Sequence, residues 1–316
     1  MKKILKALLI FLLIICVTGC GKKEVKEEKE KINYINPILY KVTKEGSDNT
    51  IYLLGSIHAA NKSDLNFADY VMNAYNSSDY TAFEFDLVKY EKDLQKQIDD
   101  AKKLLNDDGS TLKDHVSEEQ YNKIVNFLKE HNLYNSLYFS YKMVMIESLI
   151  SSSSLKDAGL NQESGIDKYF INQSNKDKKE ILEIENSDFQ MDLLANFSDE
   201  LYLFMINDVI DNYDAEVEGL KKLYDAWKNG DYNSIIELAF DEYNYDTLTD
   251  HEKEMIDEYT KALLDDRNIN MTNIINDYFT NNKNVFVVVG IAHIIGDDGI
   301  VNQLSNMGYN VERVNN

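Results

Sequence analysis

The chain has 316 residues, of which 44% are hydrophobic, so it can bury the core of one large domain or two small ones. Its formal charge is −22, from 33 Lys and Arg against 55 Asp and Glu, which disfavours a phosphate-binding surface and therefore a nucleic-acid partner. The two cysteines, Cys16 and Cys20, lie within the first 20 residues, so the rest of the chain has no disulfide, zinc–cysteine cluster or thiol nucleophile.

The N-terminal segment has the pattern of a bacterial secretory signal. Three lysines precede an apolar run at residues 7–17 that is too short to span a bilayer comfortably. The run ends in VTGC, which resembles a lipobox and implies cleavage before Cys20 and acylation of its thiol, as by palmitate. An ordinary signal or a short anchor is the alternative. We therefore expect a signal peptide at residues 1–19, a charged tether at 20–36, and lipid attachment to the extracytoplasmic face of the cell membrane.

Packed structure begins at Pro37, the one proline of the chain. Apolar or β-branched runs at residues 38–42 and 50–54 flank the turn-rich EGSDN, which predicts a hairpin. Residues 65–75 have helical periodicity, and residues 80–85 return to a strand pattern. Because strand, helix and strand follow one another within about 35 residues, they indicate a parallel βαβ unit.

The middle of the chain has mainly helical periodicity. Helices are predicted at residues 90–105, 117–130, 137–155, 165–173, 188–228, 234–240 and 251–280. One short strand, at residues 180–184, interrupts them.

The chain ends with a second βαβ pattern. Its strand, helix and strand are predicted at residues 284–289, 299–307 and 309–314. We therefore predict an α/β domain over residues 37–316. The central sheet is formed by βαβ segments from both ends of the chain, and a large, mainly helical insertion occupies about residues 88–280.

Two copies of the pattern Gly-x-x-His follow aliphatic strands more than 230 residues apart. GSIH ends at His58, and GIAH ends at His293. Glycine lets the chain turn sharply off a strand, and the carboxyl ends of parallel strands converge at one edge of a sheet. A neutral imidazole there can bind a metal or transfer protons. Either histidine alone is better explained as a hydrogen-bonded structural residue, whereas the matched pair indicates a shared site.

Carboxylates follow two other predicted strands. Glu84 lies between two phenylalanines in AFEFDL, with Asp86 nearer the loop. Glu183 ends the strand in ILEIE, with Glu185 as its neighbour. A carboxylate in apolar surroundings is costly to bury without a partner, although an edge-strand charge that faces water is the alternative for each. Two histidines and two glutamates at one sheet edge suit either a divalent-metal site or a metal-free acid/base pair.

Arginine is rare in this chain. There are 31 lysines and only two arginines, Arg267 and Arg313, so an arginine indicates a need for bidentate geometry. Arg267 lies in LLDDRN of a predicted helix and would hold a catalytic carboxylate or a substrate oxygen; a surface ion pair is the alternative. Arg313 is expected to be an ordinary strand residue.

Several segments together resemble the TraB/GumN family, a group that includes PrgY-type pheromone-shutdown proteins and is related to the Tiki metalloproteases. In chain order they are LLGSIHAANKSD, AFEFDL, GIDKYF, ILEIENSDFQ, AWKNGDY, LLDDRN and VFVVVGIAHIIGDDGIVNQLSNMGYNVERV. The resemblance covers about residues 37–316. Ser56 departs from it, because threonine is common at that position. Erythromycin-esterase-like proteins and haem-iron-binding ChaN-like proteins are similar in pattern and use comparable histidines.

The resemblance implies a metal-dependent hydrolase, of the peptidase type. By position, His58, His293 and Glu84 correspond to its core and would bind the metal, and Glu183 and Arg267 match further family positions.

These observations lead to one main hypothesis and two alternatives. The main one is a membrane-tethered, extracytoplasmic hydrolase of a peptide or small molecule, in which His58, His293 and one glutamate bind Mn²⁺, Co²⁺ or Zn²⁺. The catalytic residues would be Glu84 and Glu183, one of which activates water, and Arg267, which holds a carboxylate or the developing oxyanion. The alternatives are a lipoprotein that binds a peptide or a haem-like ligand without turnover, and a metal-independent His/Glu esterase.

Overall fold

The computed structural model describes residues 34–240 and 247–315. The predicted signal peptide, the lipid attachment at Cys20 and most of the tether lie outside these residues. Within them, no helix combines the length and the hydropathy that crossing a bilayer requires.

The described residues form six strands and fifteen α-helices. The strands are β1 (Leu39–Thr43), β2 (Ile51–Ser56), β3 (Tyr80–Phe83), β4 (Glu180–Glu183), β5 (Val285–Gly290) and β6 (Asn310–Val314). The helices are α1 (Asp69–Ser77), α2 (Leu87–Lys92), α3 (Leu94–Lys103), α4 (Leu112–His115), α5 (Glu118–Glu130), α6 (Met143–Asp157), α7 (Ile166–Asp177), α8 (Ser187–Ala195), α9 (Asp199–Asp211), α10 (Tyr213–Lys228), α11 (Tyr232–Ala239), α12 (Asp250–Thr260), α13 (Asp266–Thr280), α14 (Ile291–Ile294) and α15 (Ile300–Asn306). A π-helix, Lys261–Asp265, joins α12 to α13, and short 3₁₀-helices lie at Lys62–Asp64, Ser136–Ser140 and Gln162–Ser164.

All six strands belong to one sheet, in the order β4-β3-β5-β2-β1-β6. Strands β2, β5, β3 and β4 are mutually parallel, whereas β1 runs antiparallel to both β2 and β6. The predicted α/β fold, with a central sheet built from both ends of the chain, is therefore confirmed. Strands β2 and β3 of the first predicted βαβ unit are not neighbours, because β5 from the far end of the chain lies between them.

The helical insertion shares the hydrophobic core of the sheet. Every residue of β5 is buried, as expected for a parallel strand covered on both faces. One contiguous cluster of buried side chains includes Val287 of β5, Ile146 of α6 and Trp227 of α10. The indole N–H of Trp227 also donates a hydrogen bond to the carbonyl oxygen of Gly55, at 2.9 Å. The insertion therefore supports the end of β2 directly.

Several long predicted helices are divided by capping residues. The periodicity predicted one helix over residues 188–228, but the structure has three, α8, α9 and α10. Ser198 begins α9 because its hydroxyl accepts a hydrogen bond from the backbone N–H of Leu201. In the same way Asp93 accepts from the N–H of Lys96 and separates α3 from α2. Hydrophobic periodicity continues across such caps, so it overestimates helix length.

One carboxyl group is buried inside the insertion. Glu147 of α6 is 5% exposed, and its Oε1 accepts a hydrogen bond from the hydroxyl of Ser151. Burial raises the pKa of Glu147 from 4.5 to about 8, although the hydrogen bond from Ser151 acts in the opposite direction. The negative charge of Glu216 adds to the increase. Glu147 is therefore mainly protonated at neutral pH.

We expect the substitution Glu147→Gln to stabilise the protein at alkaline pH. The folded state keeps the proton up to about pH 8, whereas the unfolded chain releases it near 4.5, so the unfolding free energy falls as pH rises through this window. Glutamine does not ionise and removes this loss. The unfolding free energy at pH 8 should increase by about 1–3 kcal/mol, with a smaller change at pH 5. Urea unfolding monitored by circular dichroism measures the unfolding free energy at both pH values. Glu119→Gln is the control, because Glu119 is exposed. A difference that does not change with pH would contradict the buried, protonated state.

Candidate active site

The two Gly-x-x-His segments follow neighbouring parallel strands. Strand β2 ends at Ser56 and β5 ends at Gly290, and these two residues are paired in the β2–β5 register. The carboxyl ends of the strands therefore coincide. His58 and His293 follow by two and three residues, so both histidines leave the sheet at the same edge.

The glycine of the first motif allows the two segments to touch. A Cβ on Gly55 would lie 2.1 Å from the Cδ1 atom of Ile291, so that side chain would have to move, and 3.2 Å from its Cα, which is a tight contact. Ile291 directly follows the glycine of the second motif. A side chain at position 55 would therefore displace the Ile291 side chain and crowd the backbone of the second histidine segment.

The glycine of the second motif marks the place where the predicted side chains converge. A Cβ on Gly290 would lie 3.5 Å from Oε1 of Glu84, 3.6 Å from Cδ2 of His293 and 3.7 Å from Nε2 of His58. Glu84 directly follows β3, and the two histidines follow β5 and β2. Three side chains from three neighbouring strands thus surround one small space beside Gly290.

Asp167 orients His58. Its Oδ2 atom lies 2.9 Å from Nδ1 of His58, and its Oδ1 accepts a hydrogen bond from the hydroxyl of Ser56 at 2.8 Å. Burial would lower the pKa of His58, but the negative charge of Asp167 and its hydrogen bond outweigh burial and raise the pKa to about 9. The Nε2 atom of His58 lies on the side of Gly290. The beginning of α7, which carries Asp167, is held in place because Ile166 N–H donates to the carbonyl oxygen of Ile57 at 3.0 Å.

Asn268 orients His293, which is fully buried. The amide nitrogen of Asn268 donates to the carbonyl oxygen of Asp298 at 3.1 Å, which turns its amide oxygen toward Nδ1 of His293, 2.7 Å away. Because an amide oxygen only accepts, Nδ1 carries the hydrogen and Nε2 is the basic atom. Burial, with the positive charge of Arg267, lowers the pKa of His293 to about 3. His293 is therefore neutral.

Glu84 is ionised although it is buried. Its Oε1 accepts a hydrogen bond from the N–H of Gly290 at 2.9 Å, and its Oε2 accepts from Arg267 at 2.8 Å and from Gln190 at 3.0 Å. Burial alone would raise the pKa of this carboxyl group. The positive charge of Arg267 opposes burial, and with the two histidines and the Gly290 hydrogen bond it lowers the pKa to about 2.

Arg267 joins two glutamates beneath the histidines. It is 1% exposed, and its Nε and Nη2 atoms donate to the two carboxylate oxygens of Glu185, both at 2.8 Å. Its Nη1 donates at 3.2 Å to the carbonyl oxygen of Leu263, in the π-helix one turn earlier. Of the two predicted roles, the structure supports the one in which Arg267 holds a carboxylate, because its guanidinium is enclosed by these protein groups.

The model of the TraB/PrgY/gumN family matches residues 38–313. The chain belongs to this family. The resemblance seen in the motifs is thereby confirmed, and the match includes both histidine segments and every residue of the cluster around Arg267. Comparisons of this TraB/PrgY/gumN member with curated proteins and with solved structures give no significant match.

Glu183 of this family member lies outside the cluster. It ends β4 and is paired in the β3–β4 register with Phe83, the residue before Glu84. It is exposed, and its Oε1 accepts a hydrogen bond from the N–H of Asp86 at 3.0 Å. Asp86 in turn caps α2 by accepting from the N–H of Lys89. The structure thus brings Glu185, not Glu183, to Glu84 and Arg267.

Three partners of the cluster were not predicted from the sequence: Asp167, Asn268 and Gln190. Each lies in or beside a quoted segment, GIDKYF, LLDDRN or ILEIENSDFQ. The available signal was a polar residue near a helix start or next to a rare arginine, and that pattern is also typical of helix caps. Gln190 connects both glutamates, because its amide nitrogen donates to Glu84 at 3.0 Å and to Glu185 at 2.8 Å.

The donor atoms beside Gly290 are of the types that bind divalent metals. Imidazole nitrogens and carboxylate oxygens are ligands of Zn²⁺, Mn²⁺ and Co²⁺. In metal-binding histidines, the ring nitrogen that does not bind the metal typically forms a hydrogen bond to an oxygen atom, as Nδ1 of each histidine does here with Asp167 or Asn268. In residues 34–240 and 247–315, however, no three His, Cys, Asp or Glu side chains stand close enough together to hold one ion. The donor chemistry therefore fits a metal, whereas the side chains must move closer together to share one.

Proposed function

We propose that this protein is a hydrolase that cleaves peptide bonds beside Gly290. The observation that carries the proposal is the convergence of His58, His293 and Glu84, which follow three adjacent strands. An atom of each side chain lies within 3.7 Å of the position that a Cβ on Gly290 would take. Membership of the TraB/PrgY/gumN family supports it, because the resemblance implies a hydrolase that uses these three residues. Perturbed pKa values at a sheet edge are also typical of catalytic groups.

We further propose that a divalent ion, Mn²⁺, Co²⁺ or Zn²⁺, is bound by His58, His293 and Glu84. When bound, the ion would act as a Lewis acid and lower the pKa of a coordinated water. Asp167 keeps the Nε2 atom of His58 directed at the site, and Asn268 does the same for His293.

Arg267 and Gln190 serve this site as positioning residues. Both donate to Oε2 of Glu84, so that the carboxylate keeps its charge and its orientation while buried. Glu185 is engaged by Arg267 through both of its oxygens, so it stabilises the arginine and is not available to activate water.

The opposite pKa shifts of the two histidines favour a second candidate, metal-independent hydrolysis. Without a metal, His58 is protonated at pH 7 and His293 is neutral, because their pKa values are shifted to about 9 and about 3. An imidazolium and an imidazole that face one space are a general acid and a general base. His58 would then protonate the leaving group, and His293 would take the proton from the attacking water.

The two candidates differ in their response to chelation. Purified protein is incubated with a mixed pool of peptides, with EDTA or after dialysis against Mn²⁺, Co²⁺ or Zn²⁺, and new N-termini are detected by mass spectrometry. The metal-dependent mechanism predicts cleavage that EDTA abolishes and one ion restores, with about one bound ion per chain by elemental analysis. Cleavage that survives exhaustive chelation would support the second candidate.

A binding protein without turnover would give a different result. In that case no new N-termini appear, and a bound peptide or haem saturates at one ligand per chain. Activity must also co-elute with the protein on a sizing column, so that a contaminating protease is excluded.

We expect the substitution Gly290→Ala to reduce this activity about tenfold to a hundredfold while the fold is retained. The added methyl group meets Glu84 and both histidines at 3.5–3.7 Å, which is ordinary contact, and the backbone angles at Gly290 suit alanine. The methyl group would nevertheless occupy the space where water and the scissile bond must lie. Activity assays should therefore show the reduced hydrolysis, whereas the thermal unfolding temperature should be nearly that of the wild type. Full activity in this variant would place the reacting centre elsewhere.

We also propose that the protein is anchored to the extracytoplasmic face of the membrane by a lipid on Cys20. The VTGC segment supports this proposal. The substitution Cys20→Ala should move the protein from the membrane fraction to the soluble fraction or leave its signal uncleaved, as fractionation and mass measurement of the mature chain would show. An unchanged, processed protein in the membrane fraction would contradict the anchor.

A further inference from the structure

A cleft of about 870 Å³ includes Asn268 and Ala292, two residues that adjoin His293, in its lining. It lies between α12, the π-helix and the loop that follows α14, with α11 at one side. Two of its lining residues are next to His293. Asn268 holds Nδ1 of His293, and Ala292 directly precedes His293 in the chain. A chain lying in this cleft would therefore contact Asn268, on the Nδ1 side of the buried His293.

The cleft has a strongly negative lining. Among the described residues, seven carboxylates and two lysines border it, and four of the carboxylates, Asp250, Glu254, Asp257 and Glu258, are on α12. Both lysines have carboxylate neighbours, since Lys253 lies 3.7 Å from Asp250 and Lys261 contacts Asp266. Acidic residues are therefore in large excess here, and the local potential attracts cations.

The same cleft also has apolar lining. Ile236 and Phe240 belong to it, as do Leu264 of the π-helix and Ile295 after α14. The ring of Phe240 approaches Gly296 so closely that a Cβ there would lie 3.6 Å from it. Apolar surface beside carboxylates suits a side chain with an aliphatic stem and a positive end, such as lysine or arginine.

We propose that this cleft binds the part of a peptide substrate that adjoins the scissile bond, and that it selects lysine or arginine side chains there. This inference rests on the proposed peptide hydrolysis and adds the substrate class. The acidic face of α12 pairs with the cationic ends, the apolar residues contact the stems, and Asn268 and Ala292 place the neighbouring backbone next to His293.

The test measures binding at equilibrium, so it does not depend on cleavage. Three fluorescein-labelled heptapeptides, in which alanine alternates with lysine, glutamine or glutamate, are titrated with the full chain in fluorescence anisotropy. We expect the lysine peptide to bind at least tenfold more tightly than the glutamate peptide, and its affinity to fall as salt is raised.

A matched pair of double variants separates the cleft from the negative charge of the whole chain. Glu254→Gln with Glu258→Gln removes two exposed charges in the cleft, and Glu118→Gln with Glu119→Gln removes two exposed charges at the start of α5. The cleft variant should weaken binding of the lysine peptide about threefold to tenfold, and the control less than twofold. Equal affinities for the lysine and glutamine peptides, or equal effects of the two variants, would overturn the inference.

The outcome is distinguishable from a failure of the proposed function. Charge-selective binding without any new N-termini in the peptide-pool assay would uphold the cleft and reject the hydrolase. Cleavage that is insensitive to the cleft variant and to basic residues in the peptide would uphold the hydrolase and reject the cleft.

Discussion

Replacing Arg267 by methionine should lower the free energy of unfolding by about 3–5 kcal/mol, because the change leaves two buried glutamates without their common cation. Glu84 and Glu185 are 4% and 8% exposed, and both depend on the guanidinium of Arg267. Without it, burial favours protonation of Glu84, which abolishes the charged form of this carboxyl group. Urea unfolding monitored by circular dichroism measures the loss.

Two further variants test the cause of this loss. Arg313→Met removes the other arginine, which is exposed and donates to the carbonyl oxygen of Gly230, so it should cost at most about 1 kcal/mol. In the triple variant Arg267→Met, Glu84→Gln, Glu185→Gln no buried charge is left unpaired, so part of the stability should return. If Arg267→Met is as mild as Arg313→Met, the buried charge network does not support the fold as described.

Replacing either His58 or His293 by alanine should reduce hydrolysis about 10²- to 10⁴-fold, whether the imidazoles hold a metal or transfer protons. Elemental analysis distinguishes the two roles, since metal ligands lose bound metal with the substitution and proton-transfer groups leave metal content unchanged. His115→Ala is the matched control, because His115 is exposed and its carboxylate partner is Asp199, which does not belong to the cluster around Gly290.

Stability must be measured together with activity in these variants. His293→Ala leaves the amide oxygen of Asn268 buried without the imidazole, which should cost about 1–3 kcal/mol. A folded protein is still expected, so that loss of activity reports on the site. Folded variants that keep normal hydrolysis would remove the two histidines from the reaction.

The sequence was most informative where a rule of backbone geometry applies. The Gly-x-x-His pairs predicted that residues 235 positions apart share one sheet edge, and the pairing of Ser56 with Gly290 places both segments there. Scarcity of arginine predicted bidentate geometry, which Arg267 has with Glu185. Both inferences used chemistry that depends little on distant packing.

The strand register and the residues that orient the histidines were not predictable in the same way. Choosing Glu185 over Glu183 required knowing that β4 aligns Glu183 with Phe83 and that the chain bends after the strand. Asp167 reaches His58 from the start of α7, more than 100 residues later in the chain, and such a contact depends on how α7 packs against the β2 loop. Local patterns carry no information about that packing.

The position of β5 has a consequence for biosynthesis. Because β5 lies between β2 and β3, those two strands lack their common neighbour until the ribosome has translated past residue 290 of 316. Until β5 joins the sheet, β2 and β3 each have an unsatisfied edge, and pairing across more than 200 residues is slow to form. Gly290 and His293 arrive with the same strand, so closure of the sheet and assembly of the reacting centre are a single late folding event.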